Sequence, residues 1–283
     1  MKAMILAAGL GTRLRPLTDD RPKALVTVAG RTLLEITLSR LRAFDVRQVI
    51  VNTHHYAEMI VEYLKANDNF GMRIEVSREE KLLDTGGGLK KAAHFFLEDG
   101  GSLQEPFIVH NVDVISTIDL GRMMRFHLEQ NALATLAVQE RESSRSLLFD
   151  EQGQLCGRRT GRDGAAELVR PNKKQAWTGR STLQPAGRPA LQFHALRVGE
   201  SRWGTVTETQ ALAFCGIHVL SPQIFAKMMD EGVFSIIDTY MHLAAQREKI
   251  IAFRADDCYW RDLGRPESIE QAAADLSGGL RQS

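Results

Sequence analysis

The chain opens on an apolar run, Met4-Ile-Leu-Ala-Ala8, that passes without a spacer into Gly9-Leu-Gly-Thr-Arg-Leu-Arg-Pro-Leu-Thr18 and, a few residues on, into Pro22-Lys23. Five apolar residues are too few for a helix and suit a central parallel strand covered on both faces. Gly9 and Gly11 free the backbone that follows, so that consecutive amides can point into one concavity and an anion can approach them closely. Arg13 adds a permanently charged fork of donors, and Lys23, fixed just after a proline, adds an ammonium. Strand, glycine loop and two cations in this order are suited to holding a polyphosphate. The common nucleotide loops do not describe it: Leu14 stands where a dinucleotide fingerprint requires its third glycine, and no Gly-Lys-Ser/Thr follows as in a P-loop.

The pattern repeats further along. Strand-like runs at 3–8, 48–52, 73–77 and 106–111 alternate with helix-like stretches at 32–44, 56–65 and 87–96, which implies parallel βαβ units. In the first of these helices Leu33, Ile36, Leu38, Leu41 and Phe44 fall mostly at steps of three and four, giving one apolar face for a sheet. Gly9, Asn52 and Asp113 all fall at the carboxyl ends of strands, the edge where such sheets gather their ligands. From Ala132 onward 134–139 and 146–149 read as antiparallel strands, 211–220 as a buried strand, 222–229 and 235–247 as helices, 250–255 as a strand and 266–276 as a final helix. The expected fold is α/β, a Rossmann-like mixed, mainly parallel sheet flanked by helices, with a small antiparallel extension. Residues 157–207 are rich in Gly, Arg, Pro and Thr and have little periodicity; they read as a long insertion, either a functional lid or a surface excursion.

Composition narrows the partners. With 36 basic against 35 acidic residues and a net charge of +1, the chain has no overall field for nucleic acid or membrane, so any basic patch is local. Cys156, Cys215 and Cys258 are odd in number and far apart, which fits neither a disulfide framework nor a close-spaced zinc site. Met1 opens directly on the first strand and no apolar run approaches the ~18 residues of a membrane span, so a cytoplasmic protein without a leader is expected.

Leu6-Ala-Ala-Gly-Leu-Gly-Thr-Arg-Leu-Arg-Pro-Leu-Thr, Pro22-Lys-Ala-Leu-Val, Asp84-Thr-Gly-Gly-Gly, Asn111-Val-Asp113 and Trp260-Arg-Asp262-Leu-Gly together resemble the signature of sugar-1-phosphate nucleotidyltransferases. The resemblance spans nearly the whole chain apart from the third quarter, and within the family it is strongest to the short bacterial enzymes of the N-acetylmuramate-1-phosphate uridylyltransferase type. It implies one domain over 1–283, with a nucleotide-binding half at 1–131 and an acceptor-sugar half at 132–283. It also implies a reaction: a nucleoside triphosphate and a hexose-1-phosphate give a nucleoside diphosphate sugar and pyrophosphate, with uridylyl transfer as the first choice.

Such a transfer has to position two mutually repelling anions, so alignment and electrostatics dominate. Arg13, Lys23 and Asp113 are the expected catalytic residues. Ala7, Ala8, Gly9, Gly11 and Thr12 would cradle the triphosphate, with Thr85, Gly86 and Gly87 on the base side and Asn111 on the nucleotide or the acceptor sugar. The resemblance makes Asp113 and Asp262 the ligands of Mg2+, an ion that binds phosphate oxygens through one or two carboxylates and retains waters. Asp119 reads as the N-cap of the helix from Leu120. His110 departs from the apolar residue usual beside the metal aspartate and reads as a hydrogen-bonded core histidine. No general base is needed, because a sugar phosphate arrives ionised. Where many relatives carry a Glu-Lys-Pro element for the acceptor phosphate, this chain has Leu168-Val-Arg170-Pro, so Arg170 is the acceptor candidate, with Glu208 and Asp238 as further polar ones. The expected partners are the two substrates, for a monomer or homodimer. Guanylyl transfer to mannose- or heptose-1-phosphate, cytidylyl transfer to phosphocholine through a cage of Trp177, Trp203 and Trp260, and a catalytically silent regulatory homologue remain alternatives on the sequence.

Overall fold

A computed structural model describes residues 1–97, 105–161, 164–169, 195–196 and 209–278. The first strand, β1 (Lys2–Leu6), ends at the glycine loop, which turns through Thr12–Leu14 and Lys23–Leu25 into a small hairpin of β2 (Thr27–Val28) and β3 (Arg31–Thr32). Thr32 then caps α1 (Leu33–Ala43), its side chain accepting the amide of Glu35 at 3.0 Å. There follow β4 (Gln48–Thr53), α2 (Ala57–Ala66), β5 (Arg73–Arg78), α3 (Asp84–Lys91), α4 (Ala93–Leu97) and β6 (Phe107–Asn111). The single helix read over 87–96 is thus two, entered earlier, at Asp84, and broken at Ala92.

Next come β7 (Val114–Ser116), α5 (Leu120–Gln130), β8 (Ala134–Gln139), β9 (Arg145–Phe149), β10 (Leu155–Thr160), β11 (Ala166–Leu168), β12 (Ala195–Leu196) and β13 (Gln210–Leu220). The chain finishes with α6 (Ile224–Lys227), α7 (Ile236–Ala245), β14 (Ile250–Arg254), β15 (Trp260–Asp262) and α8 (Pro266–Ser277). Asp119 caps α5 as read from the sequence, its carboxylate accepting the amide of Arg122 at 2.8 Å.

One sheet carries the fold. Its strands run β12-β11-β10-β9-β13-β6-β1-β4-β5, with β8 also on β13 and β14 on β8. The members β6, β1, β4 and β5 are parallel, and β13 lies antiparallel to β6 and joins the two halves of the chain. Alternate residues of the central strands feed two cores. Ala3, Ile5, Val49, Val51 and Ile108 pack on one face with Leu34, Leu38 and Leu41 of α1. Met4, Ile50 and Val109 pack on the other with Leu89 of α3 and Tyr240 and Leu243 of α7. Burial on both faces explains the unbroken apolar runs of β1 and β4. The parallel strands all end on one edge, and the chemistry-bearing residues collect there.

Candidate active site

The glycine loop is held from below. Asn52, at the carboxyl end of β4, accepts the amide of Ala7 at 2.7 Å and donates to the Glu79 carboxylate at 2.7 Å, which in turn accepts the amide of Leu83 at 3.0 Å. Asn52 is 2% exposed and Glu79 4%, so this chain of bonds fixes the start of the loop to the start of α3 in a dry setting. The Ala7 amide, expected to face phosphate, is therefore occupied within the protein. The amides of Gly9, Gly11 and Thr12 find no protein acceptor among the described residues. Gly11 has φ +65°, and a Cβ there would stand 3.0 Å from Thr18 and 3.2 Å from Lys23, so the turn needs glycine both for its conformation and for the close approach. Leu14, fully buried, anchors the far side of the loop.

Lys23 is only 8% exposed and makes a short ion pair with Asp113. Asp113 sits in the turn between β6 and β7, and β7 supplies a feature the sequence does not announce. It pairs antiparallel with β15, Asp262 opposite Val114, and the Leu263 amide donates to the Asp113 carbonyl at 2.8 Å. Two aspartates 149 positions apart thus sit on adjoining rungs of one two-stranded ladder. Its outer strand is secured to α8, where Asp275 accepts from Tyr259 at 2.7 Å and from Arg261 at 2.9 Å. Arg13 reaches the same place: a Cβ on Gly264 would lie 2.7 Å from the Arg13 guanidinium and 2.6 Å from the Asp262 carboxylate. Arg13, Lys23, Asp113 and Asp262, far apart in sequence, are neighbours.

Asn111 ends β6 beside this group. Its amide group rests against Gly216 of β13, where φ is +71° and a Cβ would come within 2.7 Å of it. His110 is fully buried, with Nδ1 at 2.7 Å from the Asn111 carbonyl and Nε2 without a partner. Burial, with the nearby Arg40 charge, pushes its pKa down to about 4, so it is a neutral core residue as read from the sequence.

On the expected base side, Thr85 accepts the amide of Ile236 at 3.0 Å, and the amides of Gly86 and Gly87 both donate to the Phe234 carbonyl at 2.9 and 3.3 Å. A Cβ on Gly86 would meet the Phe234 ring at 2.4 Å, one on Gly87 the Gly232 carbonyl at 2.3 Å, and one on Gly88 both Asn52 and Glu79 at 2.7 Å. The glycine triplet lets α3 seat closely on the 232–236 segment and on the Asn52–Glu79 pair, and two of the donors expected to read a base edge are already engaged. Asp238 pairs with Arg158 of β10, which also holds Glu167. Arg170, Glu208, Trp177 and Trp203 lie outside the described residues. A cavity of about 540 Å³ lined by His127, Ser221, Lys227 and Lys249 sits at the amino end of β6, on the opposite edge from the phosphate loop.

The site can be compared with known proteins. The nucleotidyl transferase family model matches residues 2–147, just over half of the chain, and covers the loop, Lys23, Asn52, Glu79, Asn111 and Asp113. The chain belongs to the nucleotidyl transferase family. The nucleotidyltransferase is also 32% identical over 97% of its length to an N-acetylmuramate alpha-1-phosphate uridylyltransferase of Caulobacter vibrioides, covering 96% of that protein. It is 28% identical to a mannose-1-phosphate guanyltransferase of Yarrowia lipolytica over 95% of the chain, but spans only 62% of that longer relative. Among solved structures it superposes on HddC from Yersinia pseudotuberculosis complexed with GMP-PN, at TM-score 0.68, 21% identity and coverage of 97% and 99% of the two chains. A UDP-glucose pyrophosphorylase complexed with UDP-glucose matches at TM-score 0.68 and 17% identity, covering 98% of each chain. These two share the fold. The family is that of the sugar-1-phosphate nucleotidyltransferases, as the motifs implied. Among the described residues, no helix is long and apolar enough to cross a membrane.

Proposed function

We propose that this nucleotidyltransferase uses Mg2+ to transfer a uridylyl group from UTP to a hexose-1-phosphate, releasing pyrophosphate. The observation that carries the reading is the β7–β15 ladder, which brings Asp113 and Asp262 to adjoining rungs, Asp113 paired with Lys23 and Asp262 close to Arg13 of the glycine loop. The uracil preference is supported by the full-length similarity to the Caulobacter uridylyltransferase.

Two carboxylates suit Mg2+, which is bound through one or two of them and completes its shell with phosphate oxygens and waters in place of a closed protein cage. Asp113 and Asp262 would hold Mg2+, which would supply neutralisation of phosphate charge on the triphosphate. The remaining work falls to the chain. The free amides of Gly9, Gly11 and Thr12 receive phosphate oxygens, and Arg13 and Lys23 stabilise the charge that grows on the departing pyrophosphate. Lys23, withdrawn from water by its turn, acts with less screening than a surface lysine. The acceptor's phosphate oxygen then attacks the α-phosphorus in line; the new P–O bond forms as the bond to pyrophosphate breaks, with no proton to remove.

The test is Asp262→Asn, chosen because Asp113 is also the ion-pair partner of Lys23. Turnover at saturating Mg2+ should fall by roughly a thousandfold, with the urea unfolding midpoint preserved, on the scale of a lost electrostatic contact to reacting phosphates. Near-normal turnover would remove Asp262 from the reaction.

A further inference from the structure

Arg141 follows β8 in a polar run, Glu140-Arg-Glu, that carries no sign of burial in the sequence. Its surroundings are otherwise. The guanidinium lies 3.7 Å over the ring of Trp260, and Nη2 donates to the Phe214 carbonyl at 3.1 Å. Trp260 is itself fixed, its Nε1 donating to the Cys215 carbonyl at 2.8 Å. Both carbonyls belong to the irregular stretch of β13 between Phe214 and His218, where the register against β8 shifts around the left-handed Gly216. The irregularity therefore sets arginine and tryptophan as a pair.

Trp260 and Asp262 are two apart on β15 and share a face of that strand. Arg141 accordingly lies on the Asp262 side, and burial lowers its proton affinity while the neighbouring Cys215 thiol and then the Asp262 carboxylate act in the opposite sense. Among the described residues no carboxylate pairs with it, and its Nε is buried without an acceptor. A cation half withdrawn from water with a donor unmet is costly to hold unless an anion arrives. Asp262 is thus flanked on one side, across Gly264, by Arg13 of the triphosphate loop, and on the other, across Trp260, by Arg141. Two cations on either side of one carboxylate match a reaction with two phosphorylated substrates.

We propose that Arg141 grips the phosphate of the acceptor sugar-1-phosphate, with Trp260 holding the guanidinium in place. Stacking fixes the plane of the fork, so that two parallel donors can meet two phosphate oxygens. The proposal rests on the sugar-phosphate transfer of the preceding subsection and assigns to a described residue the task for which the sequence offered Arg170.

The experiment is steady-state kinetics with each substrate varied in turn, on the wild type, Arg141→Gln, Arg141→Lys and Trp260→Phe. Arg141→Gln should raise KM for the sugar phosphate at least tenfold and leave KM for the nucleoside triphosphate within twofold. Arg141→Lys, which keeps the charge without the fork, should show the same split at a smaller size. Trp260→Phe, which keeps a ring but loses the Nε1 bond, should raise the sugar-phosphate KM a few-fold. An unchanged sugar-phosphate KM in Arg141→Gln, or an equal rise in both KM values, overturns the assignment while leaving the transferase reading in place. Should Arg141→Gln fail to fold, the split in Arg141→Lys decides in the same way. A wild type silent with every pair of substrates overturns the transferase reading and this proposal with it.

Discussion

Asn52→Ala is the perturbation whose cost can be worked most directly from the structure, because one side chain satisfies two buried groups at once. Removing it leaves the Ala7 amide without its 2.7 Å acceptor and takes from the Glu79 carboxylate a donor at 2.7 Å. An unsatisfied buried amide costs roughly 1–3 kcal/mol, and a lost hydrogen bond to a buried charge roughly 1.5–3 kcal/mol. The sum, about 2.5–6 kcal/mol, is large for a single substitution and corresponds to a drop in Tm of roughly 10 °C for a chain of this size. Function should fall too, since Ala7 leads into the amides that receive phosphate. KM for the nucleoside triphosphate is expected to rise about tenfold, the equivalent of about 1.4 kcal/mol. Asn52→Asp is the informative companion. It keeps an acceptor for Ala7 but sets a second carboxylate against Glu79, so its stability deficit should shrink as the pH is lowered and the pair takes up a proton. Thermal unfolding at pH 8 and pH 6 and triphosphate kinetics measure all three effects. A Tm shift under 2 °C in Asn52→Ala, or a large loss of stability with an unchanged triphosphate KM, would refute the view that this bond chain positions the loop.

Other outcomes follow from the same geometry. Gly216→Ala should cost about 2–5 kcal/mol, from left-handed strain and from a Cβ driven to within 2.7 Å of Asn111, and should slow turnover. Gly153→Ala, equally left-handed at φ +70° but with nothing within 4 Å, should cost only the strain, about 1–2 kcal/mol; equal unfolding midpoints in the two variants would contradict the crowding argument. The pH dependence of folding also has a defined sign. Burial holds the pKa of His127 down to about 4 and that of His218 down to about 3, whereas an unfolded histidine titrates near 6.5. Both are neutral in the folded protein and take up protons on unfolding, so stability is full above about pH 6.5 and falls as the pH drops toward the folded values. By pH 5 each should have removed roughly 2 kcal/mol, and a urea midpoint that stays level between pH 7.5 and pH 5 would be inconsistent with this.

The parts of the molecule that sequence made visible are those with local signals. The strand and loop at 4–18, the apolar face of α1 and the Asp119 cap each show within a dozen residues, and each stands where the pattern placed it. Asp113 and Asp262 were both singled out, but their adjacency depends on β7 and β15. These are strands of three residues with no periodicity, paired across more than 140 positions. Asn52 stands out in the sequence only as a residue at a strand end, and Glu79 lies in the charged run Arg78-Glu-Glu-Lys; neither carries a mark of burial in the sequence. Arg141 was passed over for the same reason. The Asp84-Thr-Gly-Gly-Gly motif was noticed for a base, yet its glycines pack against Phe234, Gly232, Asn52 and Glu79, because small residues are required wherever two backbones approach closely. Periodicity reports burial along one element, whereas these contacts depend on which elements meet.

Nucleotidyl transfer between UTP and a sugar-1-phosphate must release pyrophosphate, which can be measured for every pair of substrates. The matrix would set UTP, GTP, dTTP and CTP against glucose-, N-acetylglucosamine-, N-acetylmuramate-, mannose- and heptose-1-phosphate, with Mg2+ or with EDTA. Release should require UTP and one of the sugar phosphates, be abolished by EDTA and be restored by added Mg2+. Release confined to GTP would contradict the uridylyl assignment, and no release from any pair by a folded, nucleotide-binding protein would contradict the transfer itself.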